Sequence, residues 1–189
     1  MVDRLGDRAG GQGVTVACFY FDFAAQKDQS PASMLGALLR QVVGGLEEVP
    51  VEIAQAYKNQ KQVIDGRGPQ LVDIMKMLEN TASIKRTFIC IDALDECEAG
   101  YRVKLLDSLN QILQRSPGTR VFITGRPPVQ VEAVGRLRGM VTTVRATPRR
   151  HDIISYLRTR LDEDIRPGAM DSSLKTEILK KIPKDVSEM

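Results

Sequence analysis

Four short apolar runs stand out along the chain, each bounded by glycine, proline or charged residues. They are rich in β-branched and aromatic residues, which are typical of β-strands. We therefore predict strands at 14–22, 87–92, 119–124 and 140–145. The segment 1–13, by contrast, has four glycines and no periodicity, and we expect it to be mobile.

The segments between these runs have the spacing of amphipathic helices. Ser30 followed by Pro31 is typical of a helix start, and Pro183 is expected to end the last helix. The predicted helices cover residues 32–46, 51–61, 69–81, 101–116, 149–164 and 172–182. Strands that alternate with helices predict an α/β fold, with a parallel sheet covered by helices on both faces.

The composition indicates a globular protein of about one domain. A length of 189 residues fits about one domain, and 42% hydrophobic and 27% charged residues are typical of a globular chain. A net charge of +3 is too small to favour nucleic-acid or membrane binding by bulk electrostatics. No run reaches the roughly 18 apolar residues of a membrane span. The three cysteines form no CxxC pair, and a reducing, cytoplasmic setting fits them best.

Three carboxylates, Asp92, Asp95 and Glu96, crowd the end of the run at 87–92. Ligands of parallel sheets bind at the carboxyl ends of the strands, so an acid at position 92 could hold Mg²⁺ beside a bound nucleotide. A second acid a short loop away could orient an attacking water. The alternative is that these are ordinary loop acids, one of which caps the following helix.

A basic side chain is expected at the same edge of the sheet. In "RVFITGRP" (120–127) a predicted strand leads directly to Arg126, and the prolines behind it are expected to turn the chain. An arginine there can pair with a phosphate, or simply with the neighbouring acids. Metal-dependent hydrolysis without a nucleotide is a weaker alternative, because the only histidine, His151, lies at a helix entry.

At these motifs the chain resembles the NACHT group of signalling ATPases. "FICIDALDEC" resembles the group's Walker B segment, and "VFITGRP" resembles its sensor 1 strand, with Gly125 in place of the usual serine. "ACFYFDFAAQKDQSPASMLGALLRQVV" resembles the strand and helix that follow the phosphate loop in the fungal branch, the nephrocystin-3-like N-terminal domains. "HDIISYLRTRL" resembles the helix after the fifth strand.

The resemblance implies a molecular switch that binds ATP or GTP with Mg²⁺ and is associated in fungi with self/non-self recognition and cell death. It implies that Asp92 binds the metal, that Asp95 activates water with Glu96 as second candidate, and that Arg126 senses the γ-phosphate. The implied fold is a three-layer P-loop NTPase of the ASCE type, with sheet order 5-1-4-3-2. The implied partners are further copies of the chain or neighbouring NACHT and repeat regions, with no nucleic acid and no membrane.

The phosphate loop of that group, GxxxxGK[ST], is absent from the sequence. "GDRAGGQG" (6–13) has no lysine or hydroxyl after it and leads into a strand, whereas a phosphate cradle needs a helix N-terminus. We therefore expect a partial NTPase core at 14–165 that lacks the Walker A strand, and the start of a truncated helical region at 166–189. The predicted function is a piece of a nucleotide switch that is inactive by itself. The alternative is a non-catalytic fragment that pairs with a full-length relative.

Overall fold

One parallel sheet organises the first part of the chain. The computed structural model describes residues 13–62, 69–139, 141–147, 149–163 and 171–185. Strands β1 (Val14–Tyr20), β2 (Arg86–Asp92) and β3 (Arg120–Ile123) lie side by side in the order β1-β2-β3. This order agrees with the neighbouring strands 2, 3 and 4 of the predicted arrangement.

Seven α-helices accompany the three strands in the described part of the chain. They are α1 (Pro31–Gly44), α2 (Val51–Gln62), α3 (Leu71–Ala82), α4 (Ala99–Arg115), α5 (Pro127–Arg136), α6 (Arg150–Asp162) and α7 (Ser172–Asp185). Short 3-10 turns follow β1, at Phe23–Ala25, and β2, at Leu94–Glu96. Ser30 starts α1 as predicted, because its hydroxyl accepts the Ser33 N–H while Pro31 occupies the first turn.

The core lies between one face of the sheet and helices α1, α3 and α4. The sheet contributes the fully buried side chains of Ala17, Ile89 and Ile91. The helices contribute mostly leucines, among them Leu35, Leu38, Leu78, Leu105, Leu106 and Leu109. Burial of one such side chain contributes about 1.5–3 kcal/mol, so this face accounts for most of the stabilisation of the sheet.

The opposite face of the sheet carries the alternate residues of the same strands. Cys18 and Phe88 are partly exposed there, and Phe122 keeps 43% of its surface accessible. Cys90, in the central strand, is buried on this face.

The predicted fourth strand is wrong. Residues 141–147 have no strand structure, and all seven are exposed; Met140 lies outside the described residues. A strand needs a neighbour to pair with, and none of the three described strands pairs with this segment. The β-branched residues of this segment, such as Val141 and Val144, were therefore not enough to form a strand.

The structure also differs from two predictions that were based on prolines. Pro127 and Pro128, expected to turn the chain, occupy the first positions of α5, where a missing N–H costs nothing. Pro183, expected to end the last helix, lies inside α7, which continues to Asp185. Because it lies in the last turn, Pro183 removes one hydrogen bond without preventing the helix.

Contacts divide the chain into two units, Met1–Val141 and Thr142–Met189. The first holds the sheet and helices α1 to α5, and in the second α6 and α7 contact each other. The predicted domain bounds at residues 13 and 165 stay a prediction, and the segment expected to be mobile lies outside the described residues except for Gly13. Among the described helices, none is both long and apolar enough to cross a membrane.

Candidate functional site

The carboxyl end of the sheet brings the predicted site together. Asp92 is the last residue of β2 and lies opposite Tyr20 of β1. Its backbone carbonyl accepts the Phe21 N–H at 3.1 Å, and its side chain is exposed. The strand therefore ends with a carboxylate held at the edge of the sheet.

Thr124 holds the chain around Asp92. Its hydroxyl donates to Asp92 Oδ1 at 2.5 Å and accepts the Ala93 N–H at 3.0 Å. Its backbone N–H donates to the Ile91 carbonyl, and its carbonyl accepts the Leu94 N–H, both at 2.9 Å. These four bonds fix the orientation of the Asp92 side chain and of the backbone that follows β2.

Ala93 adopts a left-handed backbone conformation with φ 54° and ψ 46°. This conformation costs a residue with a side chain roughly 1–2 kcal/mol. The hydrogen bond to Thr124 compensates for part of that cost. The sharp bend turns the chain from β2 into the Leu94–Glu96 turn, which carries the other two acids.

Asp95 and Arg126 form a close pair at the start of α5. Asp95 Oδ1 accepts the Arg126 N–H at 3.1 Å, and Asp95 Oδ2 lies 3.2 Å from Arg126 Nε. Only 16% of the Asp95 side chain is exposed, against 79% for Arg126. Gly125 leaves room for the carboxylate, since an added Cβ would lie 3.4 Å from Asp95 Oδ1. A serine, usual here in the resembling group, therefore fits with little movement.

Glu96 does not join this pair. Its Oε2 accepts the Phe23 N–H at 3.1 Å, and its backbone carbonyl accepts from Gln26 Nε2 at 2.8 Å. These contacts tie the turn after β2 to the turn after β1. The geometry pairs Asp95 with Arg126, holds Asp92 beside Thr124 at the end of β2, and directs Glu96 toward Phe23.

Sequence reasoning missed Thr124 and Ala93. A hydroxyl side chain at the end of a predicted strand is a signal that could have identified Thr124. Nothing in the sequence distinguishes Ala93, because alanine rarely takes a left-handed conformation.

The described residues supply the acids and the arginine of a magnesium–nucleotide site, but no phosphate-binding loop. Asp92 is an exposed oxygen donor, yet among the described residues no three His, Cys, Asp or Glu side chains gather as a metal-binding group. Gly13, the described end of the glycine-rich segment, leads directly into β1 and not into a helix. Both oxygens of Asp95 already contact Arg126. The described part of the chain therefore contains no complete nucleotide site.

Comparison with solved structures identifies the fold. A structure of the Aeropyrum pernix ORC1 protein in complex with DNA matches with a TM-score of 0.52 and 21% identity, over 95% of this chain. The match covers 44% of the ORC1 chain, so this chain spans less than half of that protein. The likeness supports the predicted α/β fold, with a parallel sheet and accompanying helices. No curated protein matches the chain at a significant level.

A family profile identifies the chain more closely. The family described as "Nephrocystin 3, N-terminal" matches residues 1–126. The chain therefore belongs to the nephrocystin 3 N-terminal family, which confirms the family prediction. The matched region ends at Arg126, so it includes all four predicted site residues.

Proposed function

We propose that the chain supplies the acid and arginine side of a NACHT-type nucleotide switch and hydrolyses no nucleotide by itself. The observation that carries the proposal is the joint placement of Asp92, Asp95 and Arg126 at one end of the sheet. In the family this end faces ATP or GTP with Mg²⁺. The proposed setting is the cytoplasm, with a role in signalling.

Each residue has a proposed task in a protein that also contains a phosphate loop. Asp92 would hold Mg²⁺, and Arg126 would contact the terminal phosphate. Asp95 would orient water, with Glu96 as the second candidate. Glu96 is held against the turn after β1 by Phe23 and Gln26, whereas Asp95 lies beside Arg126, and this contrast supports the preference for Asp95.

The Asp95–Arg126 pair also supports inactivity of the chain alone. The Asp95 carboxylate accepts the backbone N–H of Arg126 and forms an ion pair with its guanidinium, and only 16% of the Asp95 side chain is exposed. A phosphate in reach of Arg126 would compete for the guanidinium and release one carboxylate oxygen. Without a phosphate cradle, nothing in the described part of the chain brings a phosphate there.

The experiment extends the chain at its N-terminus with a family segment that contains GxxxxGK[ST]. Asp95→Asn should then abolish hydrolysis and leave nucleotide binding nearly unchanged, since it removes a water-orienting group. Arg126→Ala should weaken both, because the arginine contacts charge already present before the reaction. Asp162→Asn and Arg158→Ala, on α6, are the matched controls. Equal loss of binding in the two site variants would overturn the assigned roles.

A second function, a non-catalytic fragment that pairs with another chain, is favoured by the outer edge of β3. No other strand in the described part of the chain pairs with that edge, and Phe122 is 43% exposed. Exposed strand edges promote association with further strands. Sedimentation of the 189-residue chain should show oligomers, and a stable monomer at high concentration would remove this function.

A further inference from the structure

Two cysteines that are far apart in sequence are neighbours in the sheet. Cys18 of β1 and Cys90 of β2 are direct register partners. Register partners of parallel strands project to the same face, so both thiols lie on the face opposite the core. They are close enough to share a hydrogen bond.

The backbone geometry of this pair suits a disulfide. Adjacent strands lie about 4.8 Å apart, and disulfides join Cα atoms about 4.4–6.8 Å apart. Gln41 also fixes the backbone of Cys18, because its side-chain amide bonds both the N–H, at 2.9 Å, and the carbonyl, at 2.8 Å. The register therefore brings the two Cα atoms into the range that a disulfide spans.

The two thiols differ in access to solvent. Cys18 is partly exposed, whereas only 5% of Cys90 is accessible. A small oxidant from solvent therefore reaches Cys18 first, and Cys90 is placed to react with the product. An accessible cysteine beside a resolving cysteine is the usual arrangement of a reversible thiol sensor.

We propose that Cys18 and Cys90 form a reversible intramolecular disulfide when the protein meets a peroxide. The Cys18 sulfur attacks one peroxide oxygen and breaks the O–O bond, which gives a sulfenic acid and one water. The Cys90 sulfur then attacks the Cys18 sulfur, and the hydroxyl leaves with the Cys90 proton as a second water. Two thiols are oxidised to one disulfide, and one hydrogen peroxide is reduced to two waters.

The disulfide joins the two strands that lead to the candidate site. Tyr20 and Asp92 follow the cysteines by two residues, and the closed loop contains α1, α2 and α3. A cross-link over such a long loop restricts the unfolded chain strongly. Oxidation should therefore stabilise the sheet and hold its carboxyl end more rigidly.

The test treats the purified 189-residue chain with hydrogen peroxide and follows mass and thermal unfolding. The intact mass should fall by two hydrogen atoms, and peptide mapping should join the Cys18 and Cys90 peptides. The Tm should rise by about 5 °C or more and return to its first value with dithiothreitol. Cys97→Ser is the matched control, because Cys97 is the third cysteine and lies outside this pair, and the variant should keep both effects.

Cys18→Ser and Cys90→Ser should each lose the cross-link and the rise in Tm. If the buried Cys90→Ser variant fails to fold, the partly exposed Cys18→Ser variant decides the matter alone. Oxygen added to Cys18 with no cross-link to Cys90 would overturn the proposal. A disulfide that joins two chains, or one that involves Cys97, would overturn it as well.

Discussion

The two edge strands of the sheet, β1 and β3, differ in the hydrogen-bond partners on their outer sides. At the β1 edge, the side-chain amide of Gln41 bonds the outward N–H and carbonyl of Cys18. β3 pairs with β2 on its inner side, and no strand of the described chain pairs with its outer side. Since the Thr124 N–H points to β2, the alternation of a strand turns the Ile123 N–H outward. The β1 edge is therefore closed, in that the Gln41 side chain bonds the outward groups of Cys18. The β3 edge is open, in that its outer side has no strand partner in the described chain.

This difference indicates where the fold of the described chain is incomplete. A side chain that satisfies an edge strand is typical of a sheet that ends there. In the strand order implied by the resemblance, the Walker A strand lies directly beside β3. The open edge and the missing phosphate loop are thus two results of the same absence in the sequence.

The largest expected effect comes from removing the side-chain hydrogen bonds at the β1 edge. Gln41→Leu removes both bonds to Cys18 and should lower the free energy of unfolding by about 2 kcal/mol, because partly buried backbone groups lose their partners. Urea unfolding measures the change. Gln55→Leu is the control, since Gln55 is exposed and contacts only Asn59. It should cost less than about 0.5 kcal/mol. Equal losses in both variants would show that the β1 edge is not held by Gln41.

Hydrogen exchange compares the two edges directly. The outward amide of Ile123 should exchange at least about tenfold faster than that of Cys18, a difference of about 1.4 kcal/mol in protection. In Gln41→Leu the Cys18 amide should approach the rate of Ile123. Strong protection of Ile123 in a monomeric sample would contradict an open β3 edge.

A smaller effect is expected where β2 leads into the site. Ala93→Gly should raise the free energy of unfolding by about 1 kcal/mol, because glycine adopts the left-handed conformation without strain. Ala54→Gly, inside α2, should instead lower it by about 1 kcal/mol. Thermal unfolding of the two variants gives both signs in one experiment, and a loss in both would argue against strain at Ala93.

Sequence patterns predicted the parts of the fold that depend on local order. The apolar runs of β1, β2 and β3 and the capped start of α1 were found because each carries its own signal. The strand predicted at 140–145 does not form at the described residues 141–145, where no other described strand pairs with the segment. The start of α5 was misread because two prolines fit a turn and a first helical turn equally well.

The positions of the charged site residues could be predicted from the sequence, but the hydrogen bonds that hold them could not. Asp92, Asp95 and Arg126 follow strand ends, so their approach to one edge could be expected. The Thr124 hydroxyl bonds and the Cys18–Cys90 pairing depend on strand register, which no single segment reveals. The separation of Glu96 from the pair depends on a loop that follows another strand.

Nucleotide titration tests the central claim most directly, namely that this chain has the acid side of the site without the phosphate cradle. Isothermal calorimetry of the 189-residue chain with Mg²⁺–ATP and Mg²⁺–GTP should give a Kd weaker than about 1 mM, which corresponds to about −4 kcal/mol. The chain extended by a phosphate-loop segment should bind markedly more tightly. Micromolar affinity of the chain alone would contradict the account.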